Sequence, residues 1–264
     1  MFVRILSAII GIPLLLFIVI TGGTLLKLSV GIMACIGLNE FFNAFQNIGM
    51  KPLKKIGFIS AVLLLLLTYR WTIVEIMMFW IFCSMLMVLV VNLFSCKVDV
   101  NDSAVTVLGI FYVVFFMFHI VFVSDITTYS YLIWMIFLSA FATDTFAYFT
   151  GYFFGSRKLC PTISPKKTVE GSIGGVVGSI LSSAAFAYFF NIDLIVHCMI
   201  MGFVGSIFAQ IGDLTASSFK RYVGIKDYGK IMPGHGGVLD RFDSILFTAP
   251  TVYYYILFFL VGLK

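Results

Sequence analysis

Long apolar runs broken by short polar stretches repeat along this chain from its first residues to its last. A hydrocarbon layer about 30 Å thick is crossed by about 20 residues of α-helix, so each run reads as a candidate span. The runs are continuous, which argues against a lipid-facing barrel, whose strands alternate every second residue. The expected spans cover roughly residues 5–21, 25–45, 56–69, 73–93, 105–123, 131–154, 172–190, 194–217 and 244–261. The third is short, and the tight Tyr69-Arg70-Trp71-Thr72 junction after it is where a count of about nine could change by one. The first run follows a lone Arg4 and ends at Thr21-Gly22-Gly23-Thr24 without a small-residue cleavage pattern, so it is expected to be a retained helix.

Polar positions orient these helices. With the N-terminus in the cytoplasm and nine helices alternating, only Lys27, Arg70 and Lys264 of the 17 Lys and Arg fall outside. That is the bias expected of cytoplasmic loops. The reading is therefore an all-α, polytopic integral membrane protein with a cytoplasmic N-terminus and an outer C-terminus. It is one membrane domain over 1–264, in which 1–125 is mainly helical scaffold. Residues 139–244 form a catalytic half with two cytoplasmic loops, 155–171 and 218–243.

Composition sharpens the picture. Charged residues make up 11% of the chain, against about 25% in soluble proteins, which excludes an ordinary soluble domain. The net charge of +5 is explained by the cytoplasmic bias, and no nucleic acid is expected as a partner. Cys35, Cys83, Cys96, Cys160 and Cys198 have no metal-site spacing and read as packing residues.

Ionisable groups inside membrane helices are costly and usually functional. Asp144 lies some seven residues before its apolar run ends, and Asp213 stands near the cytoplasmic end of another run, one turn after Gln210. Glu40, beside Asn39 and Asn43, is expected to bond across helices, and neither it nor Glu75 is assigned to the site. Gly171, Gly175, Ser179 and Ser183 recur every four residues, and Gly205 and Ala209 lead at the same spacing to Asp213 and Ser217. Such rows allow close approach, so the seventh and eighth spans are expected to pack on one another.

Two loops carry phosphate-type chemistry. In Ser164-Pro165-Lys166-Lys167-Thr168, Ser before Pro predicts a helix start, with two Lys and a Thr placed to hold phosphate oxygens. In the stretch from Ser217 to Ser244, Lys220, Arg221, Lys226 and Arg241 supply cationic donors, and Pro233-Gly234-His235-Gly236-Gly237 supplies flexible backbone. Asp240 and Asp243, three apart where the last helix begins, share a face. With Asp213 they could hold Mg²⁺, which takes a few carboxylates together with substrate phosphates.

This arrangement resembles the signature of the phosphatidate cytidylyltransferase (CDP-diacylglycerol synthase) family. The matching positions are Ser217, Lys220, Arg221, Lys226, Asp227, Pro233 to Gly237, Asp240, Arg241 and Asp243. Upstream, Asp144, Gly151, Gly155, Ser164 to Thr168, Glu170 and Gly171 are similar too. The resemblance implies transfer of the cytidylyl group of CTP to phosphatidic acid, with Mg²⁺ and room for a second cation. It implies catalytic roles for Asp144, Lys167, Lys220, Arg221, Lys226, Asp227, His235, Asp240 and Arg241. Substrate contacts are implied for Ser164, Lys166, Lys167, Thr168, Glu170, Ser217, Lys220, Arg221, Gly234, Gly236 and Gly237, and metal contacts for Asp213, Asp240 and Asp243. The expected place is a bacterial inner membrane, multi-pass among membrane lipids, with the site facing the cytoplasm. The resemblance is compatible with a homodimer, of which the residues themselves carry no sign. A membrane lipid kinase is the alternative enzyme. A polytopic transporter of an anionic lipid or solute would also place carboxylates in helices, though near the midplane and in matching halves.

Overall fold

The computed structural model describes residues 2–70, 73–95, 98–231 and 236–262. Its helices are α1 (Phe2–Thr21), α2 (Gly23–Gln46), α3 (Lys54–Leu67), α4 (Ile73–Phe94), α5 (Val100–Gly109) and α6 (Phe116–Asp125). They continue with α7 (Ile133–Phe154), α8 (Val169–Phe190), α9 (Ile195–Tyr222) and α10 (Leu239–Tyr255). A π-helical stretch, Ile110–Phe115, joins α5 to α6, and another, Ile256–Val261, extends α10. Among the described residues seven helical rods are long and apolar enough to cross a membrane: Gly23–Gln46, Glu75–Phe94, Val100–Ser124, Thr127–Phe154, Val169–Phe190, Ile192–Tyr222 and Leu239–Val261. The other two expected spans fall on α1 and α3. With 14 residues, α3 rises about 21 Å, short of a full hydrocarbon layer. Large apolar side chains such as Phe82, Leu93, Phe94, Phe189 and Phe190 lie exposed on these rods, as lipid contact requires and water would not tolerate. The chain is a polytopic membrane protein, nearly all α-helical.

A short two-stranded hairpin before α8 corrects an expectation. Ser164–Thr168 does not open a helix; it is strand β2, antiparallel to β1 (Lys158–Cys160). Proline suits an edge strand as well as a first helical turn. Capping falls instead to Thr168, whose Oγ1 accepts the Gly171 N–H at 3.1 Å as α8 begins at Val169.

The chain packs as two compact units. The first comprises Met1–Phe122 and Tyr222–Arg241. Its core is aromatic: Trp80, Phe41, Phe42, Phe118 and Phe122 are fully buried, and Trp80 stacks on Phe115 with centroids 5.9 Å apart. Several polar groups inside this layer bond to one another, as a dry environment favours. Ser60 and Ser84 bond at 2.7 Å, and Trp80 Nε1 donates to the Ser60 carbonyl at 2.8 Å. At one end, Asp99 and Asp102 form a capping box on α5. Asp102 also accepts the Lys51 N–H at 2.6 Å, strapping the α2–α3 link to α5.

The second unit comprises Val123–Arg221 and Phe242–Lys264. Its most extensive helix pairing is α7 with α8. A Cβ on Gly171 would lie 2.8 Å from the Ala147 carbonyl oxygen, and one on Gly175 would lie 2.9 Å from that of Thr143. Backbone cannot yield as a side chain can, so these glycines set how closely the two helices approach. The sequence pairs the row on α8 with the row on α9. The structure instead seats the glycines of α8 on α7, while the serines of α8 face α9, with Ser179 Oγ donating to the Gly202 carbonyl at 2.9 Å. Gly205 of α9 likewise approaches Ser139 of α7. The row is shared between two partners because residues four apart drift around a helix. Cys35, Cys83, Cys160 and Cys198 are free thiols, and Cys96 lies outside the described residues, as do Lys97 and Lys264.

Gly175→Ala is expected to destabilise the detergent-solubilised protein by about 1–3 kcal/mol through overpacking. Gly11→Ala, where an added Cβ meets nothing within 4 Å, should cause no loss. Thermal unfolding of the two variants side by side checks both.

Candidate functional site

The second unit gathers charge at the α7–α8 hairpin and the ends of α9 and α10. Lys167, on β2, forms an ion pair with Asp213 of α9, each side chain about one-quarter exposed (27% and 25%). Ser217, one turn further along α9, directs its hydroxyl to Asp213 Oδ1 at 3.4 Å. Arg221, in the last turn of α9, donates from Nε to the Ile163 carbonyl at 3.3 Å and so ties the hairpin turn to this helix. Asp243 of α10 has Asp213, Lys220 and Asp144 within electrostatic reach. Gly212 makes that proximity feasible: a Cβ there would stand 2.5 Å from the Asp243 carbonyl oxygen, so only glycine lets α10 come this near. Three carboxylates are thus set among Lys167 and Lys220. Neither sign is left to face hydrocarbon alone.

Glu170 bonds to the chain just before β1. Its carboxylate accepts the Ser156 N–H at 3.0 Å, the Ser156 hydroxyl at 2.7 Å and the Arg157 N–H at 3.2 Å. The Val169 N–H donates to the Arg157 carbonyl at 2.9 Å beside it. Glu170 therefore fastens the base of the hairpin that presents Lys167. Thr168 is buried as the α8 cap, while Ser164 is half-buried and Lys166 exposed on β2. Gln210, one turn before Asp213, hydrogen-bonds Ser172 of α8.

The first unit holds the remainder of the motif. Asp240, 9% exposed in the first turn of α10, accepts the Tyr228 N–H at 2.7 Å and the Gly237 N–H at 2.9 Å through Oδ2. Gly236 has φ +88, a left-handed conformation that favours glycine, and a Cβ there would meet Asp240 Oδ2 at 2.8 Å. Asp240 is thereby engaged in shaping its own loop. Lys226 and Asp227 are exposed on the segment leading to Tyr228, and Arg241 is exposed at the start of α10. Gly234 and His235 lie outside the described residues, as does Pro233.

Glu40, expected from the sequence to bond across helices but not assigned to the site, does bond to another helix. It is 3% exposed on α2 and accepts the Val238 N–H at 3.0 Å and the Leu239 N–H at 2.9 Å, one on each carboxylate oxygen. Its signal in the sequence is a carboxylate in the last third of a span with no cation at helical spacing.

Among the described residues no three His, Cys, Asp or Glu side chains gather tightly enough to form a closed metal cage. The donor chemistry nevertheless suits Mg²⁺, which keeps waters and binds through one or two carboxylates plus phosphate oxygens. Asp213 and Asp243, with Asp144 in reach, supply oxygen donors of that kind.

Comparison with known proteins adds an independent line. A family model described as "Cytidylyltransferase family" matches residues 2–259. The phosphatidate cytidylyltransferase of Staphylococcus aureus (strain COL) is 37% identical over 255 residues, covering 94% of this chain and 96% of that protein. That of Staphylococcus haemolyticus (strain JCSC1435) is 36% identical over 255 residues, with the same coverage of 94% and 96%. That of Staphylococcus epidermidis (strain ATCC 12228) is 37% identical, again over 255 residues.

The ion pair generates a prediction about stability alone. Lys167→Met leaves Asp213 facing Asp243 without its compensating ammonium and should cost about 1–2 kcal/mol, moderated by partial exposure. Adding Asp213→Asn in the same chain should recover most of that loss. Unfolding midpoints of the single and double variants measure both effects.

Proposed function

The chain belongs to the cytidylyltransferase family, and from that membership we propose that it transfers the cytidylyl group of CTP to phosphatidic acid. The products are CDP-diacylglycerol, a precursor for phospholipid synthesis, and pyrophosphate. The observation that carries this reading is the set of carboxylates and lysines around Asp213 and Asp243, with donors for both phosphate and a phosphate-bound cation. A patch that merely binds anionic headgroups would need the cations only.

The chemistry follows from the substrates. An oxygen of the lipid phosphate attacks the α-phosphorus of CTP, and the bond from that phosphorus to the bridging oxygen of the β-phosphate breaks. Pyrophosphate leaves with the electron pair. The nucleophile is an ionised phosphate, so the reaction needs neither a general base nor a Ser-His-Asp triad. What the protein must supply is in-line positioning and charge neutralisation. Lys220 and Arg221, at the C-terminal end of α9, offer donors to phosphate oxygens. Lys167 is held by Asp213 on a hairpin anchored by Glu170, so its ammonium is placed before any substrate meets it. Asp213 and Asp243, with Asp144 beside them, would hold Mg²⁺, which when bound offsets the negative charge of the triphosphate. The proposed setting is a bacterial cell membrane with these groups on the cytoplasmic side, where CTP is found and where the positive-inside pattern puts them.

Purified protein in vesicles containing phosphatidic acid, given CTP and Mg²⁺, should yield CDP-lipid and equimolar pyrophosphate. Chelation of the metal should stop the reaction. Asp213→Asn and Asp243→Asn should each lower kcat by about a hundredfold or more, in line with loss of a charged group from a phosphoryl-transfer site. Turnover with ATP in place of CTP, transferring phosphate alone, would instead identify a lipid kinase.

A further inference from the structure

In the first unit, backbone amides in the signature segment are held by two buried carboxylates. Asp240 takes the N–H groups of Tyr228 and Gly237, and Glu40 takes those of Val238 and Leu239. The latter two are amides that the start of a helix leaves without intrahelical partners, and an anion there also complements the helix dipole. Two of the segment's glycines are explained by the same carboxylate. A Cβ on Gly229 or on Gly237 would overlap Glu40 Oε1. The amides of Gly237, Val238 and Leu239 are therefore engaged with protein carboxylates and are not offered to a phosphate.

We infer that Glu40 is a positioning residue for the reaction, fixing the start and direction of α10 from a helix 198 residues away in sequence. This rests on the cytidylyltransferase reading. Glu40 acts through α10: that helix begins at the amides it holds, and Asp243 follows three residues after Asp240. A buried carboxylate that meets no donor costs far more than the bonds it makes are worth, so α10 is locked to this register rather than merely favoured in it. Glutamine keeps the shape but presents one acceptor and one donor, so it can satisfy one of the two amides and sets its own N–H against the other. Alanine satisfies neither.

The test uses the full chain in vesicles of phosphatidic acid with CTP. In Glu40→Gln, kcat should fall at least tenfold, and the Mg²⁺ concentration giving half-maximal rate should rise at least fivefold. KM for phosphatidic acid should stay within twofold. Glu40→Ala should be worse in both respects. Loss of folded protein alone would lower the apparent kcat without moving the Mg²⁺ dependence. Amide hydrogen exchange supplies a readout that needs no activity. It should accelerate over residues 228–245 in Glu40→Gln and stay unchanged over the 158–171 hairpin. Should the Glu40 variants fail to fold, Gly237→Ala strikes the same contact from the other side and should shift the Mg²⁺ dependence likewise. A Glu40→Gln protein within twofold of the parent in rate and Mg²⁺ dependence, or with unchanged exchange over 228–245, overturns the inference. So does an unshifted Mg²⁺ dependence in Gly237→Ala. If the parent makes no CDP-lipid, the cytidylyltransferase reading falls by itself, and the exchange comparison alone decides whether Glu40 orders this segment.

Discussion

A carboxylate taken out of water must find its donors within the protein, and much of this structure is arranged around that demand. Glu40, Asp240 and Asp213 meet it in two ways. Glu40 and Asp240 use backbone amides, and Asp213 uses an ammonium. In water each arrangement would be worth about 1 kcal/mol net. In a membrane the alternative is an unmatched charge, and each pairing becomes close to obligatory. The consequence is a fixed course at two irregular places, the hairpin before α8 and the turn at Gly236 to Val238 that opens α10.

Small residues do the complementary work. Gly171 and Gly175 bring α7 against α8 by removing the atoms that would strike carbonyl oxygens, and Gly212 does the same where α10 passes Asp213. Without a hydrophobic drive between helices in lipid, close packing of this kind is one of the few sources of cohesion. It also sets how near the charged groups lie to one another.

Much of this was legible in the chain. Continuous apolar runs foretold helices at the right places, because a span is set by length and hydropathy and needs no partner to be recognised. Asp213 and Lys167 stood out for the same reason: charge near a lipid run is conspicuous. Ser164-Pro165 misled because its two residues fit an extended edge as well as a helix start, and pairing with Lys158–Cys160, a non-local contact, settles which forms. The partners of the small-residue rows were hidden too, since spacing shows that a face is smooth without showing what lies against it. Glu40 is conspicuous as an acid within a span, but its partners are not. Its meaning depends on amides, which every residue but proline carries and no sequence pattern reveals.

The distance along the chain between Glu40 and its partners, 198 and 199 residues, bears on how the protein is made. Synthesis runs from the N-terminus, so α2 leaves the ribosome long before α10 exists. Until then Glu40 must be tolerated in a nascent bundle without the amides that match it in the finished one. The signature segment acquires its backbone course only when nearly the last helix is inserted. Truncated chains ending before α10 thus lack more than the missing residues: they retain an acid in α2 whose destined counterpart never arrives.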